Sequence, residues 1–279
     1  MNTVKTGMLM VVMAGIFFLV GYLFRGTGGA MIALVVSLAF NFGMYWFSEA
    51  IALKFARAQE LQPGQMPWLE QANAELSQRA GIPPARLHIS PDPQPNAFAC
   101  GRGPGNASIC INQGLIHAMP QDQVIGVLAH EIAHIANRDV LTMTVVASMA
   151  SAIMFISRFA LFFGGDDESP NPIAAIAIMI LGPLAAMLIQ FAVSRQREYA
   201  ADEMGARLVG DPRPLANALE SLHAYGDRVQ SATAHPQTAH MYISNPFKAQ
   251  GLMALFSTHP PVEERVRRLM SLQGSLASA

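Results

Sequence analysis

Charge is scarce in this chain. Asp, Glu, Lys and Arg make up 13% of its 279 residues, against 52% hydrophobic. An ordinary soluble domain carries about 25% charge, so much of this surface must face something other than water. A formal net charge of −1 removes the electrostatic case for a polyanionic partner, and nucleic acid is not expected. Cysteine is nearly absent. Cys100 and Cys110 are too few for a disulfide scaffold, and both are expected to be small, reduced core residues. No internal repeat is present, which excludes a solenoid. Missing too is a small-x-small cleavage site after the first apolar run, so that run is expected to stay in the protein.

What fills the space left by charge is apolar sequence in four stretches. Residues 7–24 carry no charge, and residues 30–47 are broken chiefly by Asn41. Each reaches the roughly 18–20 residues needed to cross a bilayer. The short link Arg25-Gly26-Thr27-Gly28-Gly29 makes them a hairpin. Residues 141–163 and 173–193 form a second apolar pair, expected to span on length, with burial against a soluble core as the alternative. Lys5, Lys54, Arg57, Arg138, Arg195 and Arg197 flank these stretches, while the loop at 164–172 holds only acidic charges. Basic flanks favour the cytoplasm, so both termini are expected there, with Arg25 dissenting. The chain divides accordingly. A transmembrane hairpin (1–51) precedes the first part of a soluble domain (52–140); a second apolar hairpin (141–193) precedes the rest of that domain (194–279).

The soluble part carries His130-Glu131-Ile132-Ala133-His134. On a helix, residues four apart lie about 40° apart around the axis and about 6 Å apart along it. Two imidazoles so placed can hold one Zn²⁺ at about 2.0–2.1 Å, and Glu131 is placed to take a proton from water. Val124, Ile125, Val127, Leu128, Ile132 and Ile135 give the segment a broad apolar surface, so a buried helix is expected, with Pro120-Gln121-Asp122 as its start and Asn137-Arg138-Asp139 as a polar stop. Buried His and Glu need partners, and a metal supplies them. One zinc ion per chain is the expected cofactor.

Catalytic zinc takes three protein ligands and leaves one position open. The best third candidate is Glu198, in Arg195-Gln196-Arg197-Glu198-Tyr199-Ala200-Ala201-Asp202. Asp202, four residues on, shares its face and can orient a ligand imidazole through the ring's other nitrogen. The small alanines let this helix approach the first. An exposed charged turn after a membrane span is the plainer alternative, and His117, His223, His235, His240 and His259 stay open as ligands.

Between the second span and the motif helix, residues 67–80 read as a helix opened by Pro67 and closed by Gly81. Three strand patterns follow at 86–90, 96–100 and 107–111, the last two joined by a Gly-rich turn. A peptide could add to the edge of such a sheet through main-chain hydrogen bonds. Asn96, Phe98 and Gly101 are the candidate contacts; a purely buttressing sheet is the alternative. After Asp202, a helix is expected beyond Asp211-Pro212, with Leu215, Leu219 and Leu222 inward. A loop at 227–250 should lie near the cleft, and a last helix has Val262, Val266, Leu269 and Leu272 inward. The fold class is therefore α+β, mostly helical: a polytopic membrane protein with a zincin-like peptidase domain and a small sheet beside the zinc helix.

The chain resembles the HtpX family of integral-membrane zinc metalloproteases, relatives of the CAAX prenyl proteases. The resemblance spans essentially the whole length and rests on four motifs: Asn96-Ala97-Phe98-Ala99-Cys100-Gly101, His130 to His134, Ser194 to Asp202, and Thr258-His259-Pro260-Pro261. It implies Glu198 as third ligand and a bacterial inner-membrane endopeptidase with its site toward the cytoplasm. Its substrates would be unfolded, misfolded or damaged membrane proteins, in stress-linked quality control. It also implies that His259 faces substrate or a developing oxyanion. Two other readings remain: an intramembrane-cleaving protease, which would want its motif and an Asp ligand inside a span, and a metal-stabilised membrane scaffold without turnover. Oligomeric state leaves no trace in the sequence.

Overall fold

The computed structural model describes residues 2–147, 149, 194–226, 243 and 260–276. The second apolar pair beyond residue 147, most of the 227–250 loop, and His235, His240 and His259 lie outside the described residues.

The N-terminal apolar sequence is helical throughout (α1, Asn2–Phe55) except at Arg25 (φ −146°) and Gly26 (φ 60°), where the chain leaves the helix. Gly26 takes the left-handed conformation open to a residue without Cβ. The two arms run back along one another. Gly21 and Gly29 meet so closely that a Cβ on either would strike the other's backbone. The Phe17 and Phe40 rings stack at 6.0 Å, and the Asn41 side-chain amide donates to the Met10 carbonyl at 3.1 Å. Close contact through glycine and an interhelical amide bond is how helices associate where hydrophobicity offers no drive. The turn is thus tighter than the five-residue link of the sequence suggested. Among the described residues one helix, Arg25–Phe55, is long and apolar enough to cross a membrane; Thr6–Leu19 is apolar but shorter. At 31 residues the second arm measures about 46 Å, well beyond a hydrocarbon core of about 30 Å.

The end of this arm leads into the rest of the fold. There β1 (Gln59–Glu60), α2 (Pro67–Arg79), β2 (Arg86–Ser90), β3 (Ala97–Gly103) and β4 (Asn106–Asn112) build a four-stranded sheet and its first covering helix. The strand order is β1-β2-β4-β3; β2 pairs with β4 in parallel, and the other pairs are antiparallel. β3 is therefore an edge. Alternation gives each strand two faces. Ala97, Ala99, Ile109 and Ile111 join the main core. Phe98, Cys100 and Cys110 face Ala52 and Ala56 at the end of α1. Glu49 fixes that junction, accepting from Arg86 Nη2 and Ser108 Oγ, each at 2.6 Å. Both cysteines are free and buried, as small core residues. The sequence did not suggest β1, whose two residues are too few to show alternation.

After α3 (Gln113–Ala118), the motif helix α4 spans Gln121–Ala136 with Pro120 as its N-cap. Residues 140–147 are helical again and pack on the first arm of α1, with Leu141, Val145, Val146 and Met149 against Leu9 and Met13. Chain segments α5 (Arg195–Val209), α6 (Arg213–Gly226), α7 (Val262–Ser271) and α8 (Gln273–Leu276) complete the description. α4 lies at the centre, against the sheet on one side and against α5 and α6 on the other. A Cβ on Gly126 would sit 2.6 Å from the Leu215 nitrogen, so glycine permits the α4–α6 contact. Gly126→Ala is expected to cost about 1–3 kcal/mol of stability through overpacking, read as a lower thermal midpoint in detergent. An unchanged midpoint would mean that α6 yields freely.

Candidate metal and active site

α4 presents His130, Glu131 and His134, all below 4% exposure. α5 crosses it at close range because Gly205 stands where a Cβ would be 3.1 Å from the His130 nitrogen, and Ala201 is fully buried. This crossing carries Glu198 to the histidines. His130 Nε2 and His134 Nε2 lie 3.1 Å apart; Glu198 Oε1 is 3.4 Å from His134 Nε2, and Oε2 is 3.8 Å from His130 Nε2. Ligands at about 2.0–2.1 Å in a tetrahedron stand roughly 3.3 Å from one another, so the three side chains fit a zinc-sized ion with little adjustment. They form a buried group able to hold one.

The outer nitrogens face carboxylates. His130 Nδ1 is 2.9 Å from Asp202 Oδ1, within ion-pair reach although outside the alignment of a direct hydrogen bond. His134 Nδ1 lies 3.3 Å from Asp139 Oδ2. Carboxylates there favour the proton on Nδ1 and turn the Nε2 lone pairs toward the centre. Asp139 gets there because Arg138 adopts φ 60°, folding the chain back until the Asp139 N–H donates to the His134 carbonyl at 2.9 Å. Arg197 Nη1 stands 3.6 Å from Asp139 Oδ1.

Arg265, from α7, is 1% exposed. Its Nε and Nη2 grip Asp202 at 2.8 and 2.7 Å, and Nη1 donates to the Ile243 carbonyl at 3.0 Å. Nη2 is also 3.8 Å from Glu198 Oε2. Burial raises the Asp202 carboxyl, but the Arg265 guanidinium and the His130 ring outweigh it and hold Asp202 below the ordinary value. Burial pushes His130 down to about 4. The same burial acts on His134, yet Glu198 and Asp139 override it and bring the ring to about 10. Desolvation lifts Glu131 to about 7, with Glu198 adding to the rise and His134 opposing it.

Glu131 accepts the Ala99 N–H, which ties the motif helix to the sheet edge. The sequence singled out Asn96, Phe98 and Gly101 on this strand. Asn96 instead gives its carbonyl to the Asn112 N–H at 3.0 Å, so Asn96 and Phe98 turn their main-chain groups toward β4. The Phe98 side chain packs on Ala52 and Ala56. The outward positions belong to Ala97, Ala99 and Gly101. The Ile243 N–H donates to Ala97 O at 3.2 Å, and the Gly101 N–H to Thr144 Oγ1 at 3.2 Å. Gly101 has φ +134° at a bulge, and a Cβ there would meet Ala107 at 2.8 Å; its role in the strand is conformational.

Glu198 and Asp202 thus lie where the sequence put them. Of the other histidines weighed as ligands, His117 and His223 are exposed and away from the group. Asp139, Arg265 and Ile243 were missed. Asp139 read as part of a polar helix stop. Arg265 could have been found from its place between Val262 and Leu269 on the inward face of its helix, where a cation needs a buried partner.

Removing Arg265 leaves Asp202 charged in the interior with only the His130 ring facing it. Arg265→Met is expected to cost about 3–5 kcal/mol, seen as a much lower unfolding midpoint. Asp202 supplies a pH signature. Its folded value lies below the unfolded value of about 3.9, so its stabilisation is complete above about pH 4 and fades as pH falls through the folded value. The stability advantage of wild type over Asp202→Asn should close on acidification. A gap that closed on the alkaline side instead would contradict this assignment.

Comparison with known proteins agrees with the geometry. Residues 63–273 match the model of Peptidase family M48. The proteins named Protease HtpX homolog from Burkholderia mallei (strain SAVP1) and Burkholderia pseudomallei (strain 668) are each 44% identical over 276 residues, covering 97% of this chain and 97% of theirs. Among solved structures, the crystal structure of S. mikatae Ste24p superposes with a TM-score of 0.50 at 20% identity, over 96% of this chain. This chain spans 65% of that protein's length, and the likeness is one of fold. By its matched length and by these relatives, the chain belongs to peptidase family M48 and is a metalloprotease.

Proposed function

We propose that this protein is a zinc endopeptidase of the bacterial inner membrane that hydrolyses peptide bonds of misfolded or damaged membrane proteins at the cytoplasmic face. The observation that carries the reading is the buried convergence of His130, His134 and Glu198 with Glu131 beside them and its carboxylate on the substrate-strand candidate β3.

His130, His134 and Glu198 would hold one zinc ion, which when bound supplies a Lewis acid for peptide hydrolysis near neutral pH. The chain's own residues do the rest. Glu131 takes a proton from the attacking water as the new C–O bond forms, then delivers it to the departing amine nitrogen as the C–N bond breaks. Asp202 and Asp139 keep the two imidazoles oriented, and Arg265 keeps Asp202 ionised. Ala99 offers its carbonyl to an extended substrate, which fits selection by backbone rather than by side chain. His259, by resemblance, would contact substrate or oxyanion.

Contacts between the hairpin and the domain support a shared side for the termini and the site. The Thr6 and Thr142 hydroxyls meet at 2.9 Å, eight residues beyond His134, and Glu49 at the other end of the hairpin binds the sheet. With residues 141–163 and 173–193 as two further spans, both ligand segments return to that side, and the basic flanks favour the cytoplasm.

The test is hydrolysis of an unfolded model protein by detergent-purified enzyme, with zinc content measured alongside. Glu131→Gln should keep about one zinc yet lose at least roughly 10²-fold in turnover; His134→Ala should lose metal as well. Full turnover by Glu131→Gln defeats the mechanism. Zinc in both wild type and Glu131→Gln, with hydrolysis by neither, would favour a metal-stabilised scaffold.

A further inference from the structure

Two independent measures set the height of the site above the bilayer. The first runs along the second arm of α1. Its exposed large apolar side chains run from Met31 to Phe47, with Phe42 65% and Phe47 61% exposed, and recur only at Phe55, which is 41% exposed. Sixteen helical steps from Met31 to Phe47 cover about 24 Å, close to a hydrocarbon thickness. The run then gives way to Glu49, bound to Arg86 and Ser108. The boundary therefore falls near Trp46, an aromatic suited to it. Directly over the Trp46 ring, at 4.3 Å, lies the guanidinium of Arg102, near the tip of the β3–β4 hairpin. From Arg102 it is three strand residues, or about 10 Å, to Ala99, whose N–H meets Glu131.

The second measure runs along the other arm. Thr142 touches Thr6, at the start of the first apolar stretch, and Thr144 holds Gly101. Thr142 is eight residues after His134, and the intervening chain turns back on itself at Arg138. The lower end of β3 is thus level with the beginning of the apolar arm, and the hydrolytic centre sits a short helical stretch above it. Both routes end at a similar height.

Along β3 the outward positions on either side of Ala99 are already held, Ala97 by Ile243 and Gly101 by Thr144. A substrate backbone can therefore meet the strand at one level, beside Glu131. We propose that this protease selects bonds by distance from the membrane, cutting an extended juxtamembrane segment within about three to six residues of the substrate's own span. This rests on the reading of the chain as a membrane-bound endopeptidase. A substrate span that continued as intact helix would rise only about 1.5 Å per residue and would keep its N–H groups to itself. Loss of helix just outside the membrane becomes the recognised defect.

The experiment places wild-type enzyme in vesicles with a single-span substrate followed by an unstructured linker of about forty residues made from one repeated cassette. Cut sites are mapped by mass spectrometry. Cuts should concentrate in the first six or so residues, at least about tenfold over the distal cassettes, as an effect of tethering at fixed height. Inserting a spacer of about six residues after the span should leave the cut at the same distance from the membrane and shift it in sequence. Even cutting along the linker, cuts that follow the cassette, or no cutting of the anchored linker overturns the proposal. The same linker as a free peptide, with Glu131→Gln as control, separates the two claims. If wild type cuts the free peptide, only the distance rule has failed; if it cuts neither, the peptidase reading itself fails.

Discussion

Ionisable side chains converge where α4 crosses α5, and every one is nearly without solvent. Charges taken out of water at such a site destabilise the fold unless each finds a partner of opposite sign or a metal. The surrounding architecture follows from that requirement. His130 needs Asp202, Asp202 needs Arg265, and Arg265 needs α7 folded against α5. On the other side His134 needs Asp139, which needs the left-handed turn at Arg138. Glycine and alanine at the crossing let the helices close far enough for those contacts to form. A single electrostatic demand thus ties together α4 and the turn that follows it with α5 and α7, which lie far along the chain.

Much of this could be read in the sequence because the chemistry there has a short period. His130, Glu131 and His134 share one helix, so their geometry follows from 3.6 residues per turn, and the same holds for Glu198 with Asp202. The strands at 86–90 and 107–111 showed themselves through alternation and Gly-rich punctuation, and the first hairpin through its length. What escaped depends on dihedral angles or tertiary pairing. Asp139 reaches His134 only through a positive φ at an arginine, which no propensity announces. Arg265 looked like one more charge in an arginine-rich helix, since its partner lies 63 residues earlier. Asn96, one residue before β3, and Phe98, on it, direct their main-chain groups to β4, so the outward main-chain groups are those of Ala97, Ala99 and Gly101. A shift of one residue reverses every outward group, and the parity is set by the pairing of Asn96 with Asn112.

The sheet joins the two halves of the molecule. One face belongs to the core under α4, the other rests on the end of α1. Its edge strand is pinned at Gly101 by the helix that follows the motif and at Ala97 by Ile243. The helical hairpin of α1 is therefore mechanically continuous with the strand beside Glu131. Displacing either arm would displace the edge, because the packing between them leaves few voids to absorb the change.

The residues of the candidate metal site are split along the chain, and this has a consequence for biosynthesis. Glu198 emerges from the ribosome 198 − 134 = 64 residues after His134, and Arg265 a further 265 − 198 = 67 residues later. At about 5–20 residues per second, the histidines wait several seconds for Glu198 and longer for the cation that pairs with Asp202. During that interval the nascent polypeptide carries the recognisable motif without the means to use it. Until α7 has been made and docked, Asp202 has no cation to meet its charge.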